Sequence, residues 1–211
     1  IHRLMPTSNV NIIGETFLKI NHCLMSLKES SLKDIKTVRS HEMALSQCRN
    51  SILNLGLEPV VSADTAGSAR EVSDLKDISI AAIASPLAAE IYNLKILKED
   101  MEDAGHNTTR FLILCKDKVI PDNSGGKFIT TLVFKVKNVP SALYKALGGF
   151  ATNGVNMLKL ESYQVDGSFQ STQFYTDLEG HIDSKEITSA IDELKYYSEE
   201  IKILGVYPSS R

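Results

Sequence analysis

Asn107, Thr108, Thr109, Arg110 and Phe111 place an amide, two hydroxyls, a fixed cation and an aromatic ring in one unbroken stretch. Hydroxyls and amides exchange hydrogen bonds with polar ligands, and a guanidinium holds an anion. The stretch runs directly into Leu112-Ile113-Leu114-Cys115, an apolar segment long enough for a buried strand, so the polar groups fall at a strand's mouth. The plainer alternative is that the hydroxyls cap a turn and Arg110 pairs with Glu102 or Asp103. Ser40 and Gln47 form a second pair, nearly two helical turns apart and on one helical stripe, from which they can address one ligand at two heights. His41 lacks an identified acidic partner and reads as a polar residue of the first helical turn.

These residues need strands and helices to hold them. Ile12-Ile13 and Phe17 to Leu27 read as extended chain, Lys28 to Asp34 as a solvated link, and Ile35 to Arg39 as a strand. Ser40 then stands at an N-cap, and Ala44, Leu45, Cys48, Ile52 and Leu55 recur at the spacing of one helix that Gly56 stops. The unit repeats: strand at Pro59 to Ser62, a small-residue helix capped by Asp64 or Thr65 and running through Val72, strand at Ile78 to Ala84. Ser85 caps the next helix, with Pro86 at its first position.

Such alternation predicts a mostly parallel, layered α/β sheet, with Ser40, Thr65 and Ser85 along the edge formed by the strands' carboxyl ends. Helix N-termini gathered there suit a carboxylate or another anion. The run Ala66-Gly67-Ser68-Ala69 lets a ligand approach the backbone. Ordinary caps and tight helix packing explain the same residues.

Lys116 to Lys127 reads as a linker, and the chain beyond it as a second domain. Phe128 to Val136 alternates as a strand, and Ser141 to Ala151 is helical with Leu143, Ala146, Leu147 and Phe150 on one face. Strands at Met157 to Val165 and Ser171 to Leu178 flank an Asp166-Gly167 turn. Asp183 with Glu186 makes a capping-box pattern for a helix carrying Ile187, Ala190, Ile191, Leu194 and Tyr197, and Ile201 to Tyr207 is the last strand. The order βαββαβ is the split, ferredoxin-like arrangement. A unit this small is expected to associate with a copy of itself.

A formal charge of -3, from 23 basic and 26 acidic residues, gives no electrostatic reason to expect nucleic acid or an anionic membrane as partner. Cys23, Cys48 and Cys115 are odd in number and far apart, which suits buried free thiols in a reducing cytoplasm. No run approaches the roughly 18 apolar residues of a membrane span. No Cys/His metal spacing, glycine-rich phosphate loop or serine-nucleophile elbow occurs in the first half.

Taken in order, Ser40-His41…Gln47-Cys48, Asp64-Thr65-Ala66-Gly67-Ser68-Ala69, Ala81-Ala82-Ile83-Ala84-Ser85 and Thr109-Arg110-Phe111, followed by βαββαβ, resemble prephenate dehydratase with its C-terminal ACT regulatory domain. The resemblance implies an α/β chain: part of a type 2 periplasmic-binding-protein-like catalytic domain over 1–118, a linker at 119–127, and a ferredoxin-like ACT domain over 128–211. It implies catalytic roles for Ser40, Gln47 and Thr109, with Thr109 the proton donor. Substrate contacts then fall to Arg110, Phe111, Thr65 and Ser85. The chemistry needs neither cofactor nor metal, and Arg110 is expected to anchor the pyruvyl carboxylate of prephenate. The family pattern also has an earlier Glu-Asn-Ser or Glu-Asn-Thr segment that would precede Ile1. This stretch taken alone is therefore expected to be inactive.

The second domain resembles a phenylalanine sensor that binds its effector where two such domains meet, which implies a homodimer or homotetramer. Ser141-Ala142-Leu143 stands where the family has Gly-Ala-Leu, and Glu161-Ser162-Tyr163-Gln164 where it has Glu-Ser-Arg-Pro. Asn156 agrees with the pattern. Effector contacts are thus expected from Ser141, Ala142, Leu143, Asn156, Glu161 and Ser162. The implied function is decarboxylating dehydration of prephenate to phenylpyruvate in the cytoplasm, inhibited by L-phenylalanine. Two alternatives stand beside it: arogenate dehydratase, and a non-catalytic amino-acid sensor with the same two-part build.

Overall fold

Apolar residues on both faces of successive short strands require helices on both sides of a sheet, and the region around Gln47 is built that way. The structure, a computed structural model, describes residues 4–5, 7–105, 107–164 and 172–210. In chain order its first elements are β1 (Asn11–Lys19), β2 (Cys23–Ser26), β3 (Thr37–Ser40), α1 (Glu42–Gln47), α2 (Arg49–Asn54), β4 (Glu58–Val61), α3 (Thr65–Leu75), β5 (Ile80–Ala84), α4 (Pro86–Ile91), β6 (Lys95–Lys98) and β7 (Thr108–Cys115). They are followed by β8 (Phe128–Val136), α5 (Ala142–Thr152), β9 (Met157–Gln164), β10 (Thr172–Glu179), α6 (Lys185–Tyr197) and β11 (Ser198–Pro208). The expected Asp166-Gly167 turn lies outside the described residues.

The chain divides into two compact units, Leu18–Thr109 and Ile1–Phe17 with Arg110–Arg211. The expected boundary near residue 118 is therefore not where the contacts divide. Residues 116–127 are irregular as expected, but the divisions fall inside β1 and β7 because both strands belong to the later unit's sheet.

In the unit Leu18–Thr109 the sheet order is β4-β3-β5-β2-β6. The pairs β3/β4 and β3/β5 are parallel, whereas β2/β5 and β2/β6 are antiparallel. The mostly parallel sheet is thus corrected to a mixed one, since β2 enters from the other direction and β6 joins its far side. Alternate residues serve opposite cores: Leu24, Ala81 and Ile83 pack with Ala44, Leu45, Cys48 and Ile52. Cys23, Met25, Ala82 and Ala84 pack with Ala69, Val72, Ala88 and Ala89. Period-two burial on both faces fixes the register, because a one-residue slip would exchange the two cores.

The expected single helix from Ala44 to Leu55 is interrupted at Cys48 (φ -109°, ψ 15°). A second helical start needs acceptors for its free amides, and Asp103 supplies them at 2.9 Å from Asn50 N and 3.2 Å from Ser51 N. The apolar face continues across the break, with Ala44, Leu45, Cys48 and Ile52 all buried.

The other unit holds a six-stranded sheet ordered β7-β1-β11-β8-β10-β9. Its last four strands with α5 and α6 are the expected βαββαβ arrangement, antiparallel at β8/β10, β9/β10 and β8/β11. The expected faces of α5 and α6 bury Ala146, Phe150, Ile187, Ala190, Ile191 and Leu194 against Leu132, Phe134 and Leu178. Ser184, not Asp183, caps α6 by accepting from Ile187 N. Parallel β1 approaches β11 so closely at Ile12 and Gly205 that a Cβ on Gly205 would stand 2.0 Å from the Ile12 carbonyl oxygen.

Strand β7 is an edge, and its apolar run is not buried: Phe111, Ile113 and Leu114 are 47%, 48% and 46% exposed. Ser141, just before α5, takes φ 63° and makes no side-chain cap hydrogen bond. Left-handed backbone costs a serine roughly 1 kcal/mol that glycine avoids, partly offset by glycine's freer unfolded chain. Ser141→Gly is expected to raise stability by about 0.5 kcal/mol, read as a higher urea midpoint at unchanged slope.

Candidate active site

Gln47 closes α1 and collects its neighbours from chain segments far away in sequence. Its Oε1 lies 3.0 Å from His22 Nε2 and accepts from Asn107 Nδ2 at 3.1 Å. Its own carbonyl accepts from Asp103 N at 2.8 Å. A cavity of about 340 Å³ opens here, with Gln47, Glu102, Asp103, Asn107 and Thr108 in its wall. The two carboxylates face amides: Glu102 accepts from His22 N at 2.9 Å, and Asp103 from the start of α2. An anion is poorly served beside them. The neutral side chains, above all the outward amide NH2 of exposed Gln47, are the groups this wall offers a polar substrate.

Asn107 ties Gln47 to the segment that carries the hydroxyls. Thr108 and Thr109 are exposed and successive on β7, so they leave the strand on opposite faces. The cavity beside Gln47 takes Thr108, whereas the Thr109 hydroxyl makes no side-chain hydrogen bond within the described residues. Phe111 lies further along β7, 47% exposed.

Ser40 is placed differently from its expected cap. It is the last residue of β3, fully buried, and its Oγ donates to the Ile83 carbonyl at 2.6 Å. His41 caps α1 instead, its Nδ1 accepting from Met43 N. Ser40 thus fastens β3 to β5, and no side-chain hydrogen bond joins it to Gln47 or Thr109 among the described residues.

Thr65 begins α3 behind Asp64, the actual cap, which accepts from Gly67 N at 2.5 Å. Ser85 precedes Pro86 with its hydroxyl uninvolved in capping. Ser40 lies at, and Thr65 and Ser85 lie beyond, the carboxyl ends of mutually parallel strands. The gathered anion site loses its basis nonetheless, because α1 and α4 span only six residues each and the Asp64 carboxylate already sits on the start of α3.

Arg110 does not pair with Glu102 or Asp103, nor is it free to anchor a substrate carboxylate. Within its own unit, Nε donates to Glu15 at 2.6 Å, Nη1 to Asp177, and Nη2 to Tyr207 Oη at 2.8 Å. The Glu15 and Asp177 side chains are fully buried. Burial disfavours the guanidinium's charge, and the Asp177 and Glu15 carboxylates more than offset it, leaving Arg110 more firmly protonated than an ordinary arginine. Each of the three guanidinium nitrogens thus donates to a partner within this unit.

Of the expected effector residues, Ser141, Ala142 and Leu143 line one cavity of about 450 Å³ with Val136, Tyr144, Thr172 and Phe174. Asn156 instead donates to Glu179 at 3.0 Å. Glu161 pairs with Lys159 at 3.1 Å and accepts from the Tyr163 hydroxyl. Ser162 is exposed on edge strand β9.

His22 and Asp103 have structural roles that no spacing in the sequence announces, since each contacts partners decades of residues away. Among the described residues no cluster of three His, Cys, Asp or Glu is placed to hold a metal, and no helix is long and apolar enough to cross a membrane. The three cysteines are unpaired. Burial, helped by Glu102 and Asp103, pushes the Cys48 thiol up to about 12. At about pH 8.5, where a free thiol is half ionised, Cys48 is expected to escape iodoacetamide until urea unfolds the chain, read by peptide mass.

A family model described as prephenate dehydratase matches residues 1–119. The chain is 48% identical over 210 residues to a bifunctional N-acyl-homoserine lactone acylase/prephenate dehydratase of Komagataeibacter europaeus, covering 100% of this chain and 75% of that protein. It is 38% identical over 225 residues to arogenate dehydratase/prephenate dehydratase 1 of Arabidopsis thaliana, spanning 57% of its length. Among solved structures, the prephenate dehydratase of Arthrobacter aurescens in complex with L-Phe is similar at a TM-score of 0.85 and 29% identity, with 95% of this chain and 67% of that one covered. With the family model matching more than half of the chain and a relative 48% identical over all of it, the chain belongs to the prephenate dehydratase family.

Proposed function

We propose that this chain carries the dehydratase chemistry of its family, the conversion of prephenate to phenylpyruvate in phenylalanine biosynthesis. The observation that carries the reading is the hydrogen bond from Asn107 to Gln47 Oε1, which holds Gln47 against the segment leading into Thr109-Arg110-Phe111 and leaves the glutamine NH2 outward.

In the reaction the bond from the ring to its carboxylate breaks and leaves carbon dioxide. The electron pair completes the aromatic ring, and the ring C–OH bond breaks on the opposite side. The leaving oxygen needs a proton or a strong hydrogen bond as its charge develops. Thr109 supplies that donor, since its hydroxyl is exposed and engaged with no side chain among the described residues. Gln47 NH2 is a second neutral donor. A strong cation against the departing carboxylate would stabilise the ground state more than the transition state; Arg110 is held by Glu15 and Asp177 and exerts no such pull. Ser40 and Arg110 act in this reading as fastenings of the strands they join.

We further propose that L-phenylalanine binds beside Ser141, Ala142 and Leu143, and that copies associate through this unit to form a homodimer or homotetramer in the cytoplasm. The cavity of about 450 Å³ supports the first. The open edge of β9 and the outward rings of Tyr144 and Tyr196, 81% and 75% exposed, support the second. Light scattering with and without L-phenylalanine tests both.

The dehydratase reading is tested by supplying prephenate and arogenate separately to the purified chain, alone and extended by a segment carrying the Glu-Asn-Ser or Glu-Asn-Thr motif of the family pattern. Faster loss of prephenate is expected; a preference for arogenate would reassign the substrate. The identity with the bifunctional protein favours a second reading, hydrolysis of an N-acyl-homoserine lactone, tested in the same preparations by release of free homoserine lactone.

A further inference from the structure

We infer that His22 and Asn107 are positioning residues that act through Gln47, holding its amide oxygen so that its NH2 is the face offered to substrate. The inference rests on the dehydratase reading of this site.

Gln47 is exposed at a helix end, and a free glutamine there samples many rotamers and both amide orientations. Its Oε1 has two lone pairs, and the two contacts at 3.0 and 3.1 Å use both. The partners are themselves held by main-chain bonds. His22 N donates to Glu102 at 2.9 Å, its carbonyl accepts from Met101 N at 2.9 Å, and the Asn107 carbonyl accepts from Ile20 N at 2.9 Å.

The imidazole is 5% exposed, so it reaches substrate only through Gln47. Its other nitrogen, Nδ1, is buried with no hydrogen-bond partner among the described residues. A buried N–H without an acceptor is rarer in proteins than a bare lone pair. The proton therefore belongs on Nε2, pointing at Gln47. The reverse amide orientation would strand an N–H at Nδ1 and turn the Gln47 oxygen towards the substrate's departing hydroxyl, which needs a donor.

The test uses the form of the protein that turns prephenate over. His22→Leu is expected to lower kcat about 10- to 100-fold, the scale of a displaced group, with KM changed less than about 3-fold. His22→Gln, whose Nε2 stands close to the imidazole Nε2, is expected to recover most of that loss. Asn107→Leu is expected to resemble His22→Leu, and neither should cost more than about 2-fold further once Gln47 is Ala, because their effect passes through it.

Equal losses in the Leu and Gln variants of His22, or an undiminished loss in the Gln47→Ala background, would overturn the inference. Nitrogen NMR of the wild-type imidazole decides independently of folding in any variant: a proton on Nε2 is expected, and one on Nδ1 overturns it. Wild-type silence with prephenate would remove the dehydratase reading, whereas the tautomer would still decide the Gln47 geometry.

Discussion

Replacing Arg110 with Met is expected to cost about 3–5 kcal/mol of folding stability, the scale of a buried ion pair broken from one side. The guanidinium lies between Glu15 of β1 and Asp177 of β10, both fully buried, and also donates to Tyr207 of β11. Tyr207 Oη is 2.7 Å from Thr131 Oγ1, which donates to Asp177 Oδ1 at 2.7 Å, so the network spans β1, β7, β8, β10 and β11. Methionine fills similar space but removes the guanidinium from the buried Glu15 and Asp177 carboxylates. Adding Asp177→Asn to Arg110→Met should recover part of the loss, because one buried charge disappears. Urea unfolding reads both; a single variant within about 1 kcal/mol of wild type would mean that solvent reaches these carboxylates and the clamp is not structural.

Replacing Thr109 with Val is expected to lower turnover of prephenate by about 100- to 10,000-fold, the range of a lost general acid or oxyanion donor. Valine keeps the β-branched shape that suits β7, and the hydroxyl bonds to no other described side chain. Stability should therefore stay within about 0.5 kcal/mol. Thr109→Ser keeps the donor and should stay within about 10-fold of wild type. A Val variant as active as the Ser variant would take the proton-donor role from Thr109; its neighbour Thr108, in the cavity wall beside Gln47, would then be the hydroxyl to replace.

The second unit was legible because each element carries its own signal. Period two over Phe128–Val136 and period 3.6 over Lys185–Tyr197 need only local residues to be read, and the observed cores follow them. Much of the first unit was legible for the same reason, down to the placing of Ser40, Thr65 and Ser85 at or beyond the carboxyl ends of parallel strands. What could not be read depends on distant partners. Asp103 starts a second helix more than 50 residues earlier in the chain, so the break at Cys48 has no local signature. Arg110 had acids close by in sequence, yet it pairs with Glu15 and Asp177, 95 and 67 residues away. His22 carries no signal in the sequence that links it to Gln47, 25 residues away, and only the fold brings the two together. The family motifs pointed to Ser40, Gln47, Thr109 and Arg110; in the fold the Ser40 hydroxyl donates to the Ile83 carbonyl and Arg110 to Glu15 and Asp177, partners that no motif announces.

The central claim is tested most directly by counting products. Purified protein, extended by a segment carrying the family's Glu-Asn-Ser or Glu-Asn-Thr motif and shown to be folded, is given prephenate while phenylpyruvate and carbon dioxide are measured together. One phenylpyruvate per carbon dioxide, at a rate that Thr109→Val abolishes, is the predicted result. Folded protein that forms no phenylpyruvate above the spontaneous rate would contradict the dehydratase assignment and leave an amino-acid sensor as the reading to pursue.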